Sequence, residues 1–227
     1  MLLLYPSTET AFSDNGLGAL SDAISCTVTE ARNGEFELEM EYPIAGIHYG
    51  ELKNRCIVTA KPNPYADPQP FRIYRITRPL GGKVKVYAQH TSYDLSGVTV
   101  EPFSASSAAG AFSEIESKAT GNNGFTFWTD NQDAGNMTVS VPSSVRSILG
   151  GTEGSILDTY GGEYEWDGYL VRLWSQRGQN SGVTIRYGKN LTSLEQDENI
   201  AGVATGVYPY WAGENGDLVT LPEKTVD

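Results

Sequence analysis

The chain has 227 residues, of which 39% are hydrophobic and 19% charged, and its formal net charge is −12. The balance of 16 Lys and Arg against 28 Asp and Glu argues against a protein that grips nucleic acid or an anionic membrane through basic side chains. The length suits one large domain or two small ones, with a core that needs neither metal nor disulfides.

The N-terminal stretch and the two cysteines carry no targeting or disulfide signal. MLLLYPSTETAF has three consecutive leucines, no basic residue and an early Pro6, which is neither a signal peptide nor a membrane span. Cys26 and Cys56 stand alone and do not make a disulfide framework. We expect both thiols to be reduced and mostly buried, in a protein that folds in cytoplasm.

The first hundred residues indicate antiparallel β-structure. The predicted strands are Ile24–Thr29, Glu35–Tyr42, Cys56–Ala60, Phe71–Arg78 and Lys83–His90. Asn33-Gly34 and Gly81-Gly82 are expected to turn two hairpins between these strands. No long helical period occurs before residue 100.

The segment EFELEMEY alternates strictly and places four carboxylates on one side of a strand. This acidic face consists of Glu35, Glu37, Glu39 and Glu41. Such a face is ordinarily solvated, with partners drawn from Lys83, Lys85, Arg72 or Arg78 on a neighbouring strand. The alternative is that it lines a passage through which an anionic polymer slides without sticking. If the structure shows these side chains paired with lysines or packed on a second domain, that alternative fails.

The stretch KPNPYADPQP, residues 61–70, holds four prolines and interrupts the strands. Because proline fixes its own backbone and restricts the residue before it, this proline loop should be stiff, extended and exposed. We therefore predict that it contacts a neighbouring subunit or ring through Pro64, Tyr65, Asp67 and Pro68.

The pattern changes near Gly97 and mixes short helices with strands. Predicted in order are a helix Ser104–Ala119, a strand Phe125–Thr129, a helix from Pro142 to Leu149, a helix Glu153–Tyr160 capped by Thr152, and a hairpin EYEW-DG-YLVRLW. There follow a strand Val183–Tyr187, a capping box at Thr192–Glu195 and a hairpin of Gly206–Trp211 with Asp217–Leu221. The order predicts a mainly β fold with a smaller α+β part. A first β-barrel-like domain would span 1–95 plus 201–227, with an α+β domain of 96–200 inserted.

The sequence offers no catalytic, cofactor-binding or metal-binding set. It contains neither GxSxG, nor a P-loop, nor GxGxxG after a strand, and its only histidines are His48 and His90. Glu163 and Glu165 lie two apart on one strand, about 7 Å from each other, as a glycosidase pair can. A solvated hairpin face explains these two carboxylates better, because Trp166 points the other way.

Several long blocks resemble a known family. They are Ala60–Gly97, Phe125–Asp130, Val141–Tyr169, Gly182–Ile200 and Thr205–Trp211. In a fixed order over about residues 25–226, they are similar to the N-terminal region of the phage minor structural protein. That family is also called tail-associated lysin or prophage endopeptidase tail protein, from phages and prophages of Gram-positive hosts.

The resemblance implies a tail-hub architecture, with a tube-like antiparallel β-barrel domain and an inserted second domain. It implies a homotrimer in the full-length protein, at the tail tip or baseplate of a virion made in the bacterial host cytoplasm. The expected partners are the distal tail protein ring, the tail tube and the tape-measure protein. DNA would pass through without specific binding, past the acidic face, and no membrane insertion is expected.

The resemblance also implies that the chain is the front part of a longer subunit, with its second barrel incomplete. Any hydrolase activity would then lie in C-terminal modules beyond residue 227, so the hub region itself is predicted not to be an enzyme. Two alternatives stay open: a peptidoglycan endopeptidase, and a glycan-binding module that uses Trp128, Trp166, Trp174 and Trp211. We favour core and interface roles for these aromatic residues.

Overall fold

The computed structural model describes residues 1–78, 80–121, 124–178, 181–191, 193–196, 206, 208–213 and 217–220. The chain divides into two compact units, Met1–Gly178 and Gln179–Asp227. The first unit contains two hydrophobic cores, and we call the parts that surround them the sheet lobe (residues 1–94) and the mixed lobe (residues 95–178). The placement of 201–227 in the first domain stays a prediction, since most of those residues lie outside the described part.

The sheet lobe is one antiparallel sheet that curls into a half-barrel. Its strands are β1 (Leu3–Tyr5), β2 (Gly18–Ala19), β3 (Ser25–Glu30), β4 (Phe36–Pro43), β5 (Ile57–Ala60), β6 (Gln69–Thr77) and β7 (Lys83–His90). Their order is β2-β1-β5-β6-β7-β4-β3. All five strands predicted in this region are present, with ends that differ by one or two residues, whereas β1 and β2 were not predicted.

Alternation along β4 and β7 builds the core of the sheet lobe. Phe36, Leu38, Met40 and Tyr42 are buried on the inner face of β4, and every second residue of β7 is buried beside them. Burial of each of these side chains stabilises the fold by about 1.5–3 kcal/mol. The mainly β fold predicted from alternation is confirmed.

The turn between β3 and β4 is longer than a two-residue hairpin. The last pair of the ladder is Glu30↔Phe36, and the Ala31 amide donates to the Glu35 carbonyl inside it. Asn33 adopts a left-handed backbone with φ of 53°, which asparagine tolerates better than most residues. The prediction of a hairpin that turns around Asn33-Gly34 is confirmed, with five residues between the two strands.

The mixed lobe joins short helices to three small sheets. Its elements are β8 (Thr99–Val100), β9 (Phe103–Ser107), α1 (Ala108–Lys118), β10 (Thr126–Thr129), β11 (Ala134–Val139), β12 (Ser143–Ser144), α2 (Val145–Leu149), α3 (Ile156–Tyr160), β13 (Glu163–Asp167) and β14 (Leu170–Trp174). The sheets are β10-β14-β13, β11-β9 and β12-β8. The β10–β14 pair is parallel and the β13–β14 hairpin is antiparallel.

The helices of the mixed lobe begin later along the chain than the sequence predicts. Residues 103–107 form β9, and Ser107 caps α1 by accepting a hydrogen bond from the Gly110 amide at 3.1 Å. Likewise Ser155, not Thr152, caps α3, because Gly154 has a left-handed φ of 74° that excludes it from the helix. In both cases the true cap lies three or four residues inside the predicted helix.

The second unit is described over a few short segments. Its described strands are β15 (Tyr210–Ala212) and β16 (Leu218–Thr220), which form an antiparallel pair as predicted. The strand predicted over Val183–Tyr187 is wrong, because only Tyr187 makes a bridge there, with Leu191. The predicted capping box begins at Thr192, outside the described residues, and 193–196 show no helical turn.

Candidate functional site

The acidic face lies on the outer side of the sheet lobe, opposite its core. Glu37, Glu39 and Glu41 alternate with the buried residues of β4, and Glu35 is exposed just before the strand begins. The neighbouring strand β7 runs antiparallel to β4, with Glu41 opposite Lys85 and Glu37 opposite Gln89. The face predicted from alternation is therefore present as one row of carboxylates.

Most of this row is compensated by side chains of β7. Glu41 accepts from Lys83 Nζ at 2.8 Å, Glu39 from Lys85 Nζ at 3.1 Å, and Glu37 from Gln89 Nε2 at 3.1 Å. The hydrogen bond from Lys83 lowers the pKa of the Glu41 carboxyl. The bond to Glu39 raises the pKa of the Lys85 ammonium.

This pairing confirms Lys83 and Lys85 as partners, whereas Arg72 pairs with Asp94 at 2.8 Å instead. Like charges along the strand are balanced across it, so the row needs no special function to exist. The lysine pairing of Glu39 and Glu41 is the condition under which the passage hypothesis fails, so the acidic face gives no support to a DNA-lining role.

The proline loop is mostly exposed over residues 61–68, as predicted, whereas Gln69 and Pro70 are buried in β6 and residues 64–65 form a turn rather than an extended segment. Tyr65 is 99% exposed, and Pro64, Asp67 and Pro68 are also exposed. Asn63 Oδ1 accepts from the amides of Tyr65 and Ala66 at 2.9 and 3.0 Å, which fixes the local turn. The loop therefore presents an aromatic side chain on a stiffened support, and its contact with a neighbour stays a prediction.

The two carboxylates on β13 have basic or donor partners. Glu163 pairs with Arg32 at 3.3 Å. Glu165 accepts from Trp174 Nε1 at 2.6 Å and lies 3.5 Å from Arg172. A glycosidase general acid lies in an apolar pocket, whereas these two carboxylates contact arginine or indole N–H groups.

The two histidines occupy different environments. His48 Nδ1 lies 2.6 Å from Glu51 at a half-exposed position. His90 is buried, stacks on Phe36 with ring centroids 4.7 Å apart, and accepts from the Ser92 amide through Nδ1. Burial lowers the pKa of the His90 imidazole to about 3, and the positive charge of Arg146 acts in the same direction. His90 is thus a neutral core residue near neutral pH.

Both cysteines are free thiols. Cys56 is buried and Cys26 is half-buried on β3. Burial raises the pKa of the Cys26 thiol to about 11, so it is a poor nucleophile at neutral pH.

A hairpin of the mixed lobe docks on the sheet lobe and forms the lobe junction. The Gly168 amide in the β13–β14 turn donates to Gln69 Oε1 at 2.7 Å, and Gln69 Nε2 donates to Asp167 at 3.2 Å. Thr91 Oγ1 donates to the Gly168 carbonyl at 3.3 Å. The sequence predicts Asp167-Gly168 only as a turn, and the structure shows that this turn also makes the contact with the sheet lobe.

Asn33 makes a second bridge across the junction. Its Nδ2 donates to the Gly162 carbonyl at 3.0 Å, and its Oδ1 accepts from the Tyr164 amide at 2.8 Å. The side chain of Trp166 packs against both cores nearby. The junction therefore consists of hydrogen bonds between the lobes around one aromatic residue, Trp166, that packs on both cores.

A cavity of about 250 Å³ opens at this junction and was not expected from the sequence. Its lining includes Asn33, Glu35, Tyr93, Arg146, Leu149 and Trp166. The Arg146 guanidinium carbon lies 4.3 Å from the Tyr93 ring centroid and 5.0 Å from that of Trp166. No motif marks Arg146, because its aromatic neighbours Tyr93 and Trp166 lie 53 and 20 positions away along the chain.

Arg146 is a half-buried cation without a carboxylate partner among the described residues. Its Nη1 donates to Ser92 Oγ at 3.1 Å, and no described carboxylate oxygen lies within 4.0 Å of the guanidinium. Burial lowers the pKa of Arg146, although an arginine side chain stays charged in proteins. Junction geometry thus holds a positive charge against two aromatic faces, beside an open cavity.

No group of three or more His, Cys, Asp or Glu side chains within the described ranges is arranged to hold a metal ion. None of the helices in the described part of the chain is long and apolar enough to cross a membrane. The exposed tryptophans are Trp128, which contacts Trp174 edge to face, and Trp211. Trp128 and Trp174 belong to the first unit and Trp211 to the second.

No family model and no curated protein matches the chain. Among solved structures, it is similar to the prophage tail protein gp18 from Listeria monocytogenes EGD-e, with a TM-score of 0.61 and 16% sequence identity. The similarity covers 98% of this chain and 68% of that chain. At this identity the likeness establishes a shared fold over almost the whole chain.

Proposed function

We propose that the chain is a structural component of the tail of a phage or prophage, in the hub that closes the tail tube at its tip. The observation that carries the proposal is the fold shared with a prophage tail protein over 98% of the chain. The mainly β architecture and the sequence blocks that resemble the tail-hub family support the same role.

In this proposal the full-length protein forms a homotrimer that joins the distal tail protein ring to tip or wall-acting modules. The tail tube and the tape-measure protein are its other partners, and DNA passes through without specific binding.

We propose that this region is not itself an enzyme. Glu163 and Glu165 are held in ion pairs, and His90 is buried and neutral. Zymography on host cell walls tests this point with the purified chain. We expect no clearing, and clearing by the chain alone would identify a wall hydrolase instead.

Immunogold electron microscopy of virions tests the main proposal. An antibody raised against the purified chain should label the tail tip, at one position per particle. Label along the tube, on the capsid or on no particle would contradict a tip hub. A saturable signal in a glycan pull-down, together with unlabelled particles, would favour the glycan-binding alternative.

The proline loop offers a test of the partner proposal. Tyr65→Glu and Asp67→Lys should weaken assembly of the full-length trimer or its binding to the distal tail ring, measured by mass photometry. Tyr187→Glu is a control, because Tyr187 is also 92% exposed but lies outside the loop. Equal behaviour of all three variants and the parent would remove the loop from the interface.

A further inference from the structure

The junction cavity has an electrostatic feature that the proposed tail role does not use. A half-buried charge ordinarily has a counter-charge, because leaving it unpaired in a partly desolvated place is costly. Arg146 has two aromatic neighbours and hydroxyl partners in Ser92 and Tyr93, but no carboxylate partner among the described residues. Its guanidinium carries five N–H donors, and Ser92 accepts from Nη1.

We propose that the junction cavity is a binding site for a single carboxylate on a short apolar stem, held by the Arg146 guanidinium. This inference goes beyond the tail-hub proposal and does not depend on it. The planar fork of arginine matches the two oxygens of a carboxylate, and the resulting bonds are stronger than those between neutral groups.

The cavity walls specify the stem of the ligand. Leu149, Leu157 and Trp166 supply apolar surface beside Arg146, and the volume of about 250 Å³ accommodates a few methylene groups. The Arg146 guanidinium carbon lies over the rings of both Tyr93 and Trp166, which fix the position of the cation at the cavity. The site thus has one fixed cation and an apolar wall beside it.

Glu35 restricts the ligand to a single negative charge. Its exposed side chain lines the same cavity without forming an ion pair with Arg146. A second negative charge on the ligand, as on a phosphate ester, would be repelled by Glu35 without a second cation in the described lining to offset it. Glu35 also competes weakly for Arg146, so its removal should strengthen binding.

Titration with butyrate, followed through the ¹H–¹⁵N signals of the Trp166 indole and the Arg146 side chain, tests the proposal. We expect saturable shifts with butyrate and none with butyramide, which has the same stem without the charge. Binding should weaken as pH falls through the carboxylate's own pKa, near 4–5 for such acids. Equal shifts with butyrate and butyramide, or none with either, would overturn the proposal.

Three variants separate a built site from general anion attraction. Arg146→Met should lower the affinity at least about tenfold, and Arg146→Lys should lower it less, because the charge stays while the fork is lost. Glu35→Gln, at an exposed position, should raise the affinity a few fold. Arg75→Met is the matched control, since Arg75 also lies over a tyrosine ring, 3.9 Å from the Tyr87 centroid, but is exposed outside the cavity.

A second probe distinguishes the source of the carboxylate. A glutamate residue blocked at both ends carries the same group as butyrate on a peptide unit. Tighter binding of the blocked glutamate would assign the site to an acidic side chain of a partner polypeptide, and tighter binding of butyrate to a free organic acid. An unchanged affinity in both Arg146→Met and Glu35→Gln would contradict the site for either source.

Discussion

The sheet lobe and the mixed lobe bury their cores by different means. In the sheet lobe, seven strands of one sheet turn alternate residues inward, so each strand contributes in the same way. In the mixed lobe, three small sheets and three short helices converge on one core, and capping serines set where each helix begins. Periodicity therefore specifies the first lobe, whereas local caps and turns specify the second.

The two lobes nevertheless share one junction, where Trp166 packs on both cores. Polar clamps from Asn33 and Gln69 surround it. Because these contacts belong to a single compact unit, we expect the lobes to unfold together rather than one after the other.

The largest expected effect comes from emptying either core. Ile115→Ala on α1 and Leu38→Ala on β4 each remove a buried side chain and should cost about 2–5 kcal/mol of unfolding free energy. Hydrogen exchange read peptide by peptide should show equal loss of protection in both lobes for either variant. Ile47→Ala, at a side chain that is 84% exposed, is the control and should change little.

Loss of protection confined to the lobe that carries the substitution would contradict this expectation. The lobes would then be separate folding units, joined by a junction too weak to couple them.

The next largest effect is the pH dependence that His90 imposes on the sheet lobe. Because burial lowers its pKa from 6.5 to about 3, the unfolded state binds an extra proton between these values. Stability is therefore complete above about pH 6.5 and falls by roughly 1.4 kcal/mol per pH unit as the pH drops towards 3. Thermal unfolding of His90→Asn, which keeps a capping acceptor for Ser92, should show a shallower slope than the parent between pH 6.5 and 4.5.

An identical slope in His90→Asn and the parent would contradict this assignment. The acid sensitivity would then belong to carboxylates such as Glu41, whose pKa is lowered by Lys83 and whose contribution is also lost as the pH falls.

The sequence predicts the sheet lobe better than the mixed lobe. The strict alternation of EFELEMEY identified β4, its buried face and two lysine partners, because a period of two fixes sides as well as type. The segments of β9 and β11, FSASS and AGNMTV, are rich in small and polar residues that lack β-propensity, so neither strand was predicted. Tertiary pairing of Phe103 with Val139 creates them.

The junction and its cavity could not be predicted at all. Asn33 was correctly marked as a turn residue, but its hydrogen bonds to Gly162 and Tyr164 span about 130 positions along the chain. Arg146 contacts the rings of Tyr93 and Trp166 only when the two lobes are packed together. Local signals thus identified elements, whereas the candidate site consists of contacts between lobes.

A smaller effect should follow from weakening the junction itself. Asn33→Gly removes both cross-lobe hydrogen bonds without strain at its φ of 53°, and should cost about 1–3 kcal/mol. Asn33→Asp keeps the acceptor for the Tyr164 amide, loses the donor to Gly162, and should cost less. Chemical denaturation measures both losses, and equal losses in the two variants would show that the donor, not the acceptor, forms the clamp.

The smallest expected effect concerns the acidic face, where it measures how much one ion pair contributes to stability. Glu39 and Lys85 form an ion pair at 3.1 Å, but their side chains are 49% and 40% exposed, so solvent screens most of the attraction. A double-mutant cycle with Glu39→Gln and Lys85→Gln should give a small favourable coupling that declines with added salt. A coupling near zero would mean that this ion pair does not stabilise the fold, although the charge of Lys85 would still offset that of Glu39 at 3.1 Å.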